Sequence, residues 1–380
     1  MHVYGHCDTA FLAVRDAFVR NFTEHQEIGA SVCIRINDIV VVDLWGGFST
    51  LDRRVPWDED QLVNVFSIGK GVTSVIAAQC VADGYFTYDT KVSDVWPEFG
   101  CEGKESLTVR DVLGHKAGLP AVRHRLSPLQ MYDWDAMCAA LANEKPWWQL
   151  NGQHGYHVNT FGFLIGEVIR RTTGKSVGQH VQQSVASPLD ADIYMAVPEQ
   201  IHHRIAEFEW PGEPPAEEEP DGVSPEQLLQ FNTYYNPSGL SGSGVVNTEA
   251  WRNAEIPSTN THASARGVAQ MYSALLRENS ITAPRLLPEE VLKEATSEIS
   301  IGDDIVLGRR SRFARGFQIH LPERNFGPNP KAFGHFGAGG SVGFADPVSG
   351  VGFGYVMNQM GPRWQNPRNQ GLMDALFACL

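Results

Sequence analysis

A serine and a lysine stand three residues apart at the head of an apolar segment, in Ser67-Ile68-Gly69-Lys70. A serine hydroxyl is a poor nucleophile until a neighbouring base removes its proton. Three residues along a helix make about one turn, so Lys70 can fold back onto Ser67, and burial would leave its amine neutral. In the alternative interpretation, Ser67 is an ordinary helix cap and Lys70 extends into solvent. The pair predicts a nucleophilic serine with a lysine as its base.

Two later segments contain further groups that could take part in such a reaction. Residues 155–160, GYHVNT, precede a predicted helix, and both the tyrosine and the histidine can act as general bases or proton relays. Residues 334–341, GHFGAGGS, predict a strand that runs into a glycine-rich turn. Glycine lets a backbone approach a ligand closely, and exposed strand N–H groups can stabilise an oxyanion. Taken alone, each segment is more typical of a structural loop.

The order of the three motifs is more informative than any one of them. S-x-x-K at Ser67, then Tyr156, then H-x-G at 335–337 resembles the serine β-lactamase and penicillin-binding-protein superfamily. More narrowly, the chain resembles the family VIII carboxylesterases, which are esterases similar to class C β-lactamases. The resemblance extends over essentially the whole chain. Other segments similar to that family are 107–115 (LTVRDVLGH), 116–120 (KAGLP), 160–167 (TFGFLIGE), 236–247 (NPSGLSGSGVVN) and 344–347 (FADP).

This resemblance implies a role for each matching residue. Ser67 would be the acylated nucleophile, Lys70 its hydrogen-bonded partner and base, and Tyr156 a second base that relays a proton to the leaving group. The backbone N–H groups of Ser67 and Ala338 would form the oxyanion hole. Which of Lys70 and Tyr156 is the general base stays open, because coupled groups titrate together. The residues expected to contact substrate are His335, Phe336, Gly337, His157 and Asn159.

The chain departs from the lactamase pattern at two positions. The second lactamase motif is Y-x-N, but the third position counted from Tyr156 is Val158, and His335 stands where lactamases carry the lysine of K-T-G. A register shifted by one would give His157 the tyrosine position and Asn159 the asparagine position; we prefer Tyr156, because G-Y-H is the esterase form. The missing residues recognise an amide and a carboxylate, which a plain ester does not need. The departures therefore favour an esterase.

A second serine also lies in a hydrolase-like pattern. Residues 339–343, GGSVG, match G-x-S-x-G, which would make Ser341 the nucleophile of an α/β-hydrolase. That motif requires a strand before the serine and a helix after it, whereas 344–350, FADPVSG, predicts a hairpin. No histidine follows His335 to complete a triad in the required order. Ser341 is therefore the weaker candidate.

Two further classes of protein compete with a hydrolase. The spacing of His154 with His157, and the pair His202-His203, could suggest a metal site, but there is no H-E-x-x-H pattern and no cysteine cluster, so we expect no metal and no other cofactor. The chain could also be a non-catalytic relative that binds a small molecule in its cleft. A binder has no need to retain Ser67, Lys70 and Tyr156 together, which favours the enzyme.

Hydrophobic spacing and turn signals predict the elements that position these residues. Helices are predicted at 10–22, 67–83, 108–114, 162–171, 263–278 and 371–380. Strands are predicted at 30–36, 39–45, 316–321, 332–337, 341–345 and 351–357, with Asn37-Asp38 as the turn of the first hairpin. The predicted fold is α/β, of the β-lactamase/transpeptidase-like type. Residues 1–84 and 301–380 would form an antiparallel sheet flanked by terminal helices, and 85–300 a mostly helical inserted domain with long loops.

The composition excludes several classes of partner. The 380 residues are 42% hydrophobic and carry a formal net charge of −14, which argues against binding nucleic acid or an anionic membrane. Part of this charge lies in a predicted surface loop at 211–222. The first 26 residues contain no uninterrupted apolar stretch, so we expect no signal peptide and no membrane span. Six cysteines without a C-x-x-C pair indicate reduced thiols and a cytoplasmic location.

The motifs and the resemblance together predict a serine carboxylesterase. It would hydrolyse small or short-chain esters through an acyl-enzyme, with weak β-lactam hydrolysis as a side activity, since both reactions use the same nucleophile and oxyanion hole. The first alternative is a β-lactamase, or a D-amino-acid peptidase or acyltransferase, of the same fold. The second is the non-catalytic binder. The expected partner is a small-molecule ester, and the sequence leaves the oligomeric state open.

Overall fold

The computed structural model describes residues 2–212, 222–278 and 285–380, so most of the predicted acidic loop lies outside the described residues. The described residues form twelve strands: β1 (Val3–Cys7), β2 (Gly29–Ile36), β3 (Ile39–Gly47), β4 (Val63–Asn64), β5 (Ile193–Tyr194), β6 (His262–Ala263), β7 (Ser300–Asp304), β8 (Arg309–Phe313), β9 (Gln318–Ile319), β10 (Phe333–Phe336), β11 (Val342–Asp346) and β12 (Val351–Met357).

The same residues form thirteen α-helical segments: α1 (Leu12–Glu24), α2 (Ile68–Ala82), α3 (Val92–Val95), α4 (Val109–Leu113), α5 (Trp134–Asn143), α6 (Phe161–Thr173), α7 (Val177–Val181), α8 (Ser187–Leu189), α9 (Pro225–Tyr235), α10 (Glu249–Asn253), α11 (Ala265–Leu276), α12 (Glu289–Ala295) and α13 (Pro367–Phe377). None of the helices in the described part of the chain has both the length and the apolar character needed to cross a bilayer.

A nine-stranded antiparallel sheet dominates the fold, in the order β1-β3-β2-β12-β11-β10-β9-β8-β7. Its centre joins the two ends of the chain, because β2 pairs with β12 from Ala30 opposite Met357 to Ile36 opposite Val351. The first hairpin turns at Asn37 and Asp38, whose φ values of 49° and 67° are those of a type I′ turn. The predicted α/β fold with a sheet built from both termini is confirmed.

The two faces of the sheet are covered by different helices, and the residue pattern of the central strands explains how. Gly352 and Gly354 point towards α11, where an added Cβ on Gly354 would lie 2.3 Å from the carbonyl oxygen of Ala265. The absence of side chains there lets α11 lie close against the strands. On the opposite face, Phe344 stacks on Phe353, with ring centroids 4.8 Å apart, and on Phe377 of α13. Helices α1 and α13 pack together on this side.

Among the described residues, the segment 85–300 contains ten of the helical segments, and its strands β5 and β6 form a small sheet with β4, in the order β4-β6-β5. The proposed division at residues 84 and 300 stays a prediction. Helix α11 lies within 85–300 and yet packs on β2, β11 and β12, so this part of the segment belongs to the sheet's covering layer.

Sequence patterns did not predict the edge strand β1 or the hairpin of β7 and β8, which ends the sheet on the other side. Strands β7 and β8 read SIGDD and RRSRF, and β1 reads VYGHC, so none shows an uninterrupted alternation of apolar and polar residues. Edge strands need to bury little apolar surface, and charged residues there oppose association with other chains. The alternation that reveals an inner strand is therefore weak in these three segments.

Candidate active site

The site is centred on the first turn of α2. Phe66 has a φ of 49°, in the left-handed region that bulky residues rarely adopt, and its ring packs on Phe208. Ser67 follows with φ −68° and ψ −3°, which are helical values, and its side chain makes no capping hydrogen bond. Such strain is typical of functional sites. The interpretation of Ser67 as an ordinary cap is wrong, because its hydroxyl is used elsewhere.

Lys70 directs its amine at that hydroxyl from within the protein. The Lys70 Nζ atom lies 3.0 Å from Ser67 Oγ, 2.6 Å from the carbonyl oxygen of Val158 and 3.1 Å from that of Ser258. The side chain is fully buried, so it does not extend into solvent. Burial lowers the pKa of Lys70 well below its ordinary value of 10.5. A neutral amine in this position can accept the proton of Ser67.

Tyr156 lies on the other side of the amine. The Lys70 Nζ atom is 4.8 Å from the centroid of the Tyr156 ring, and that ring stacks on Phe313 with an angle of 5° between the planes. Burial raises the pKa of Tyr156 well above 10, and the Ser67 side chain opposes this rise. The phenol oxygen satisfies hydrogen-bond geometry with no group of the described residues, Ser67 included. It is a buried hydroxyl available to a ligand.

A buried carboxylate that the sequence analysis missed fixes the loop that carries Tyr156. Asp304 Oδ1 accepts hydrogen bonds from the backbone N–H groups of Tyr156, Val306 and Leu307 at 2.9–3.0 Å. Asp304 Oδ2 accepts a further bond of 2.7 Å from the Ser311 hydroxyl, which also bonds to His154. Asp304 therefore ties the turn between β7 and β8 to the loop before α6. A lone aspartate in a polar strand gave no signal of this role.

Strand β10 presents His335 to the site and Phe336 to the core. The ring of His335 lies 6.1 Å from that of Tyr156, whereas Phe336 stacks on Phe326 at 4.8 Å, because successive side chains of a strand point to opposite faces. The expectation that Phe336 lines the cleft is corrected accordingly. Burial, with a smaller effect of Lys70, lowers the pKa of His335 to about 3, and its Nε2 atom has no hydrogen-bond partner among the described residues.

The glycine turn after β10 lies against the segment before Ser67. The Gly337 N–H donates to the Ser341 carbonyl oxygen at 2.7 Å, and an added Cβ on Gly337 would lie 2.3 Å from the carbonyl oxygen of Val65. Ala338 begins a single 3-10 turn at this point. In the described residues, no loop or turn hydrogen bond uses the backbone N–H of Ser67 or of Ala338. Both groups are thus available as donors.

His157 and Asn159 hold loops together within the protein. His157 Nε2 accepts from the backbone N–H of Leu119 at 3.0 Å, and Nδ1 lies 2.7 Å from the carbonyl oxygen of Gly155. Asn159 Nδ2 donates to the carbonyl of Thr233 and to the Ser241 hydroxyl, both at 2.9 Å, and its Oδ1 accepts from Thr259. The polar atoms of both side chains are thereby occupied, which leaves no group of either residue free for substrate. The register that places Tyr156 beside Lys70 is the one the geometry favours.

The rival nucleophile and the rival metal site do not assemble. Ser341 is buried, donates its hydroxyl to the Val65 carbonyl oxygen at 3.2 Å, and is followed by strand β11 rather than by a helix. His154 and His157 bind different groups, and the described ranges contain no cluster of three histidine, cysteine or acidic side chains placed to hold a metal.

Two aromatic neighbours of Tyr156 also went unpredicted. His115 lies 4.9 Å from the Tyr156 ring between centroids, and its Nδ1 accepts from the backbone N–H of His157 at 3.1 Å. The similarity of 107–115 to the family could have pointed to His115. Trp364 meets the Tyr156 ring edge-to-face at 5.1 Å, and no sequence motif marks it.

Known proteins share this fold and sequence over nearly the whole chain. Residues 15–376 match the protein family described as Beta-lactamase. The esterase/beta-lactamase LipL of Mycobacterium tuberculosis (strain ATCC 25618 / H37Rv) is 31% identical over 362 residues, which cover 94% of this chain and 83% of LipL.

Two crystal structures superpose on the full length of the chain, each with a TM-score of 0.91 and with both chains covered completely. One is a family VIII carboxylesterase of 38% identity, and the other is a penicillin-binding protein homologue from Caulobacter crescentus of 36% identity. The predicted resemblance is confirmed, and the chain belongs to the beta-lactamase family.

Proposed function

We propose that the protein is a serine carboxylesterase that hydrolyses small or short-chain esters through an acyl-enzyme. The observation that carries this proposal is the buried amine of Lys70, 3.0 Å from a Ser67 hydroxyl that caps no helix. Burial favours the neutral amine, so a base stands beside the nucleophile without a third residue. The LipL and family VIII comparisons support ester hydrolysis as the reaction.

In the proposed first step, Ser67 Oγ attacks the ester carbonyl carbon and its proton passes to the Lys70–Tyr156 pair. The carbonyl oxygen becomes an oxyanion that accepts hydrogen bonds from the N–H groups of Ser67 and Ala338, next to the N-terminus of α2. The bond to the leaving alcohol then breaks, and Tyr156 returns the proton to the alcohol oxygen. A water molecule then attacks the carbonyl carbon of the acyl-enzyme, and its proton passes to the Lys70–Tyr156 pair. The bond between that carbon and Ser67 Oγ breaks, Oγ takes the proton, and the acid is released.

Three positions favour an ester over a β-lactam. The lactamase asparagine position is held by Val158, which contributes a backbone carbonyl to Lys70. Asn159 is bonded within the protein. Burial holds the pKa of His335 at about 3, so this side chain is a neutral imidazole where the lactamases have a charged lysine. A β-lactamase or a D-amino-acid peptidase stays the second candidate, and the penicillin-binding protein homologue is the comparison that favours it.

The experiment compares wild type and Ser67→Ala on p-nitrophenyl butyrate and on a chromogenic cephalosporin. Ester turnover that falls at least about 10⁴-fold in the variant, with little cephalosporin turnover in wild type, is the expected result. Strong cephalosporin turnover would favour the second candidate. Ester turnover that survives in Ser67→Ala would overturn the proposed nucleophile. The partner that we propose is a small ester. The six cysteines without a C-x-x-C pair favour a cytoplasmic location for the protein.

A further inference from the structure

Three arginines surround a small polar pocket next to the proposed active site. Arg309, Arg324 and Arg363 line this pocket of about 220 Å³, together with the side chains of Asn325, Gln365 and Gln370. None of the three arginines forms an ion pair with a carboxylate of the described residues, although many other arginines of the chain do. Arg324 is also partly buried, which distinguishes it from the exposed arginines that lack an ion pair.

A single tryptophan ring separates this pocket from Tyr156. The Trp364 ring lies 5.1 Å from the Tyr156 ring, and the guanidinium groups of Arg309 and Arg324 lie over Trp364 at 4.8 Å and 5.6 Å. Arg309 also begins β8, directly opposite Asp304, whose carboxylate holds the backbone of Tyr156. The guanidinium groups of Arg309 and Arg324 are therefore separated from the Tyr156 ring by one aromatic side chain.

Two carboxylates near the pocket, those of Glu323 and Asp304, offset part of its positive charge. Glu323 also lines the pocket, but its carboxylate pairs with Arg310 at 3.8 Å. Asp304 faces Arg309 across β7 and β8 and acts on both Arg309 and Arg324 through its charge, while its oxygens accept four hydrogen bonds from neutral donors. Burial, and next the neighbouring charge of Arg309, lowers the pKa of Arg324 to about 10. Three guanidinium groups still outnumber the one nearby carboxylate that has no arginine partner, and a bound anion would relieve their mutual repulsion.

We propose that Arg309, Arg324 and Arg363 form a subsite for a carboxylate carried by the ester substrate. The planar guanidinium fork matches a carboxylate, and the neighbouring amides add further donors. The lining of the subsite includes no residue of strand β10, where His335 stands. This inference rests on the proposed esterase function and narrows its substrates to esters with an anionic end.

The test uses three chromogenic esters. p-Nitrophenyl butyrate is neutral, mono-p-nitrophenyl glutarate carries a carboxylate on its acyl side, and 3-carboxy-4-nitrophenyl butyrate carries one on its leaving group. We expect at least one anionic ester to exceed the neutral ester tenfold or more in kcat/KM, after correction for the intrinsic reactivity of each ester. The ratio of kcat/KM for the anionic ester to kcat/KM for the neutral ester should fall towards one in Arg324→Gln and in Arg309→Gln. In wild type it should decrease as salt is added.

Arg20→Gln is the matched control, because Arg20 is an exposed arginine of α1 outside the pocket. It removes the same charge and should leave the ratio unchanged. Anionic esters without any advantage, or an advantage that persists in both pocket variants, would overturn the subsite while leaving the esterase intact. If no ester is hydrolysed at all, the proposed function fails, and calorimetric binding of glutarate to wild type and to Arg324→Gln then decides the subsite by itself.

Discussion

The helices α2 and α11 both begin after a serine, and they use it in opposite ways. Ser264 precedes α11 in an extended conformation, with φ −89° and ψ 159°, and its hydroxyl accepts a hydrogen bond from the backbone N–H of Gly267 at 3.1 Å. Ser67 precedes α2 in a helical conformation, and its hydroxyl accepts no bond from the helix backbone but one from the side-chain amine of Lys70. One serine completes its helix, and the other leaves the N-terminal donors of its helix for another group.

The backbone before each serine explains the difference. A capping side chain reaches the N–H of the third helical residue only when its own φ and ψ lie outside the helical region. The left-handed φ of 49° at Phe66 turns the chain so that Ser67 already lies in the helical region. In α2 the backbone before the serine thus prevents capping and leaves the Ser67 hydroxyl available for chemistry.

The largest expected effect on kcat/KM comes from removing the amine of Lys70, the proposed base. Lys70→Met keeps the length and apolar stem of the side chain but removes the amine that contacts Ser67. We expect kcat/KM for p-nitrophenyl butyrate to fall about 10⁴-fold, because the serine then has no adjacent proton acceptor. A fall of less than tenfold would show that Ser67 is activated by another group. Steady-state kinetics with circular dichroism to verify folding makes the measurement.

A smaller loss is expected for Tyr156→Phe. The substitution removes a phenol oxygen that has no hydrogen-bond partner among the described residues and keeps the ring that stacks on Phe313. We expect kcat/KM to fall roughly 10²-fold to 10³-fold through loss of the proton relay, with Tm unchanged. An equal fall in Tm and activity would instead indicate a structural role for the hydroxyl.

The pH dependence of kcat/KM for the ester should reflect the protonation of the buried Lys70 amine. Lys70 accepts a proton only when neutral, and burial lowers its pKa well below 10.5, so the neutral form persists to lower pH than for an exposed lysine. We expect kcat/KM to rise about tenfold per pH unit below the pKa of the folded enzyme and to level off well below pH 10.5. Tyr156→Phe is the control. If the acid limb moves in that variant, the limb belongs to the tyrosine.

The smallest expected effect is a difference in the free energy of unfolding between Ser264→Ala and Ser67→Ala. Ser264→Ala removes a cap and should lower the free energy of unfolding by about 1 kcal/mol, with ester turnover retained. Ser67→Ala removes a hydroxyl that caps nothing and should change stability by less than about 0.5 kcal/mol. Thermal unfolding of both variants beside wild type makes the comparison. Equal destabilisation by both substitutions would remove the distinction between the two helix starts.

The parts of the site that the sequence predicted are those whose chemistry is local or carried by a motif. Ser67 and Lys70 are one helical turn apart, so their contact follows from the helix alone. Tyr156 and His335 were identified through motifs that the family shares. Phe336 was misplaced because the alternation of side chains along β10 was not applied: once His335 faces the site, its neighbour must face the core.

The missing parts depend on groups that leave no trace in the sequence. The carbonyl oxygens of Val158 and Ser258 bind the Lys70 amine, and any residue type could supply a carbonyl there. Asp304 accepts a hydrogen bond from the backbone N–H of Tyr156, which precedes it by 148 residues. Trp364 and the arginines around it come together only when the loops after β9 and β12 meet.

The pairing of β2 with β12 has a consequence for how the chain is made. The inner edge of β2 has no partner until Val351–Met357 has been synthesised, more than three hundred residues after Ala30. At about 5–20 residues per second, translation leaves that edge open for some tens of seconds. Its sequence, GASVCIRI, is largely apolar, so the nascent hairpin is a site for aggregation or for chaperone binding until the C-terminal strand arrives.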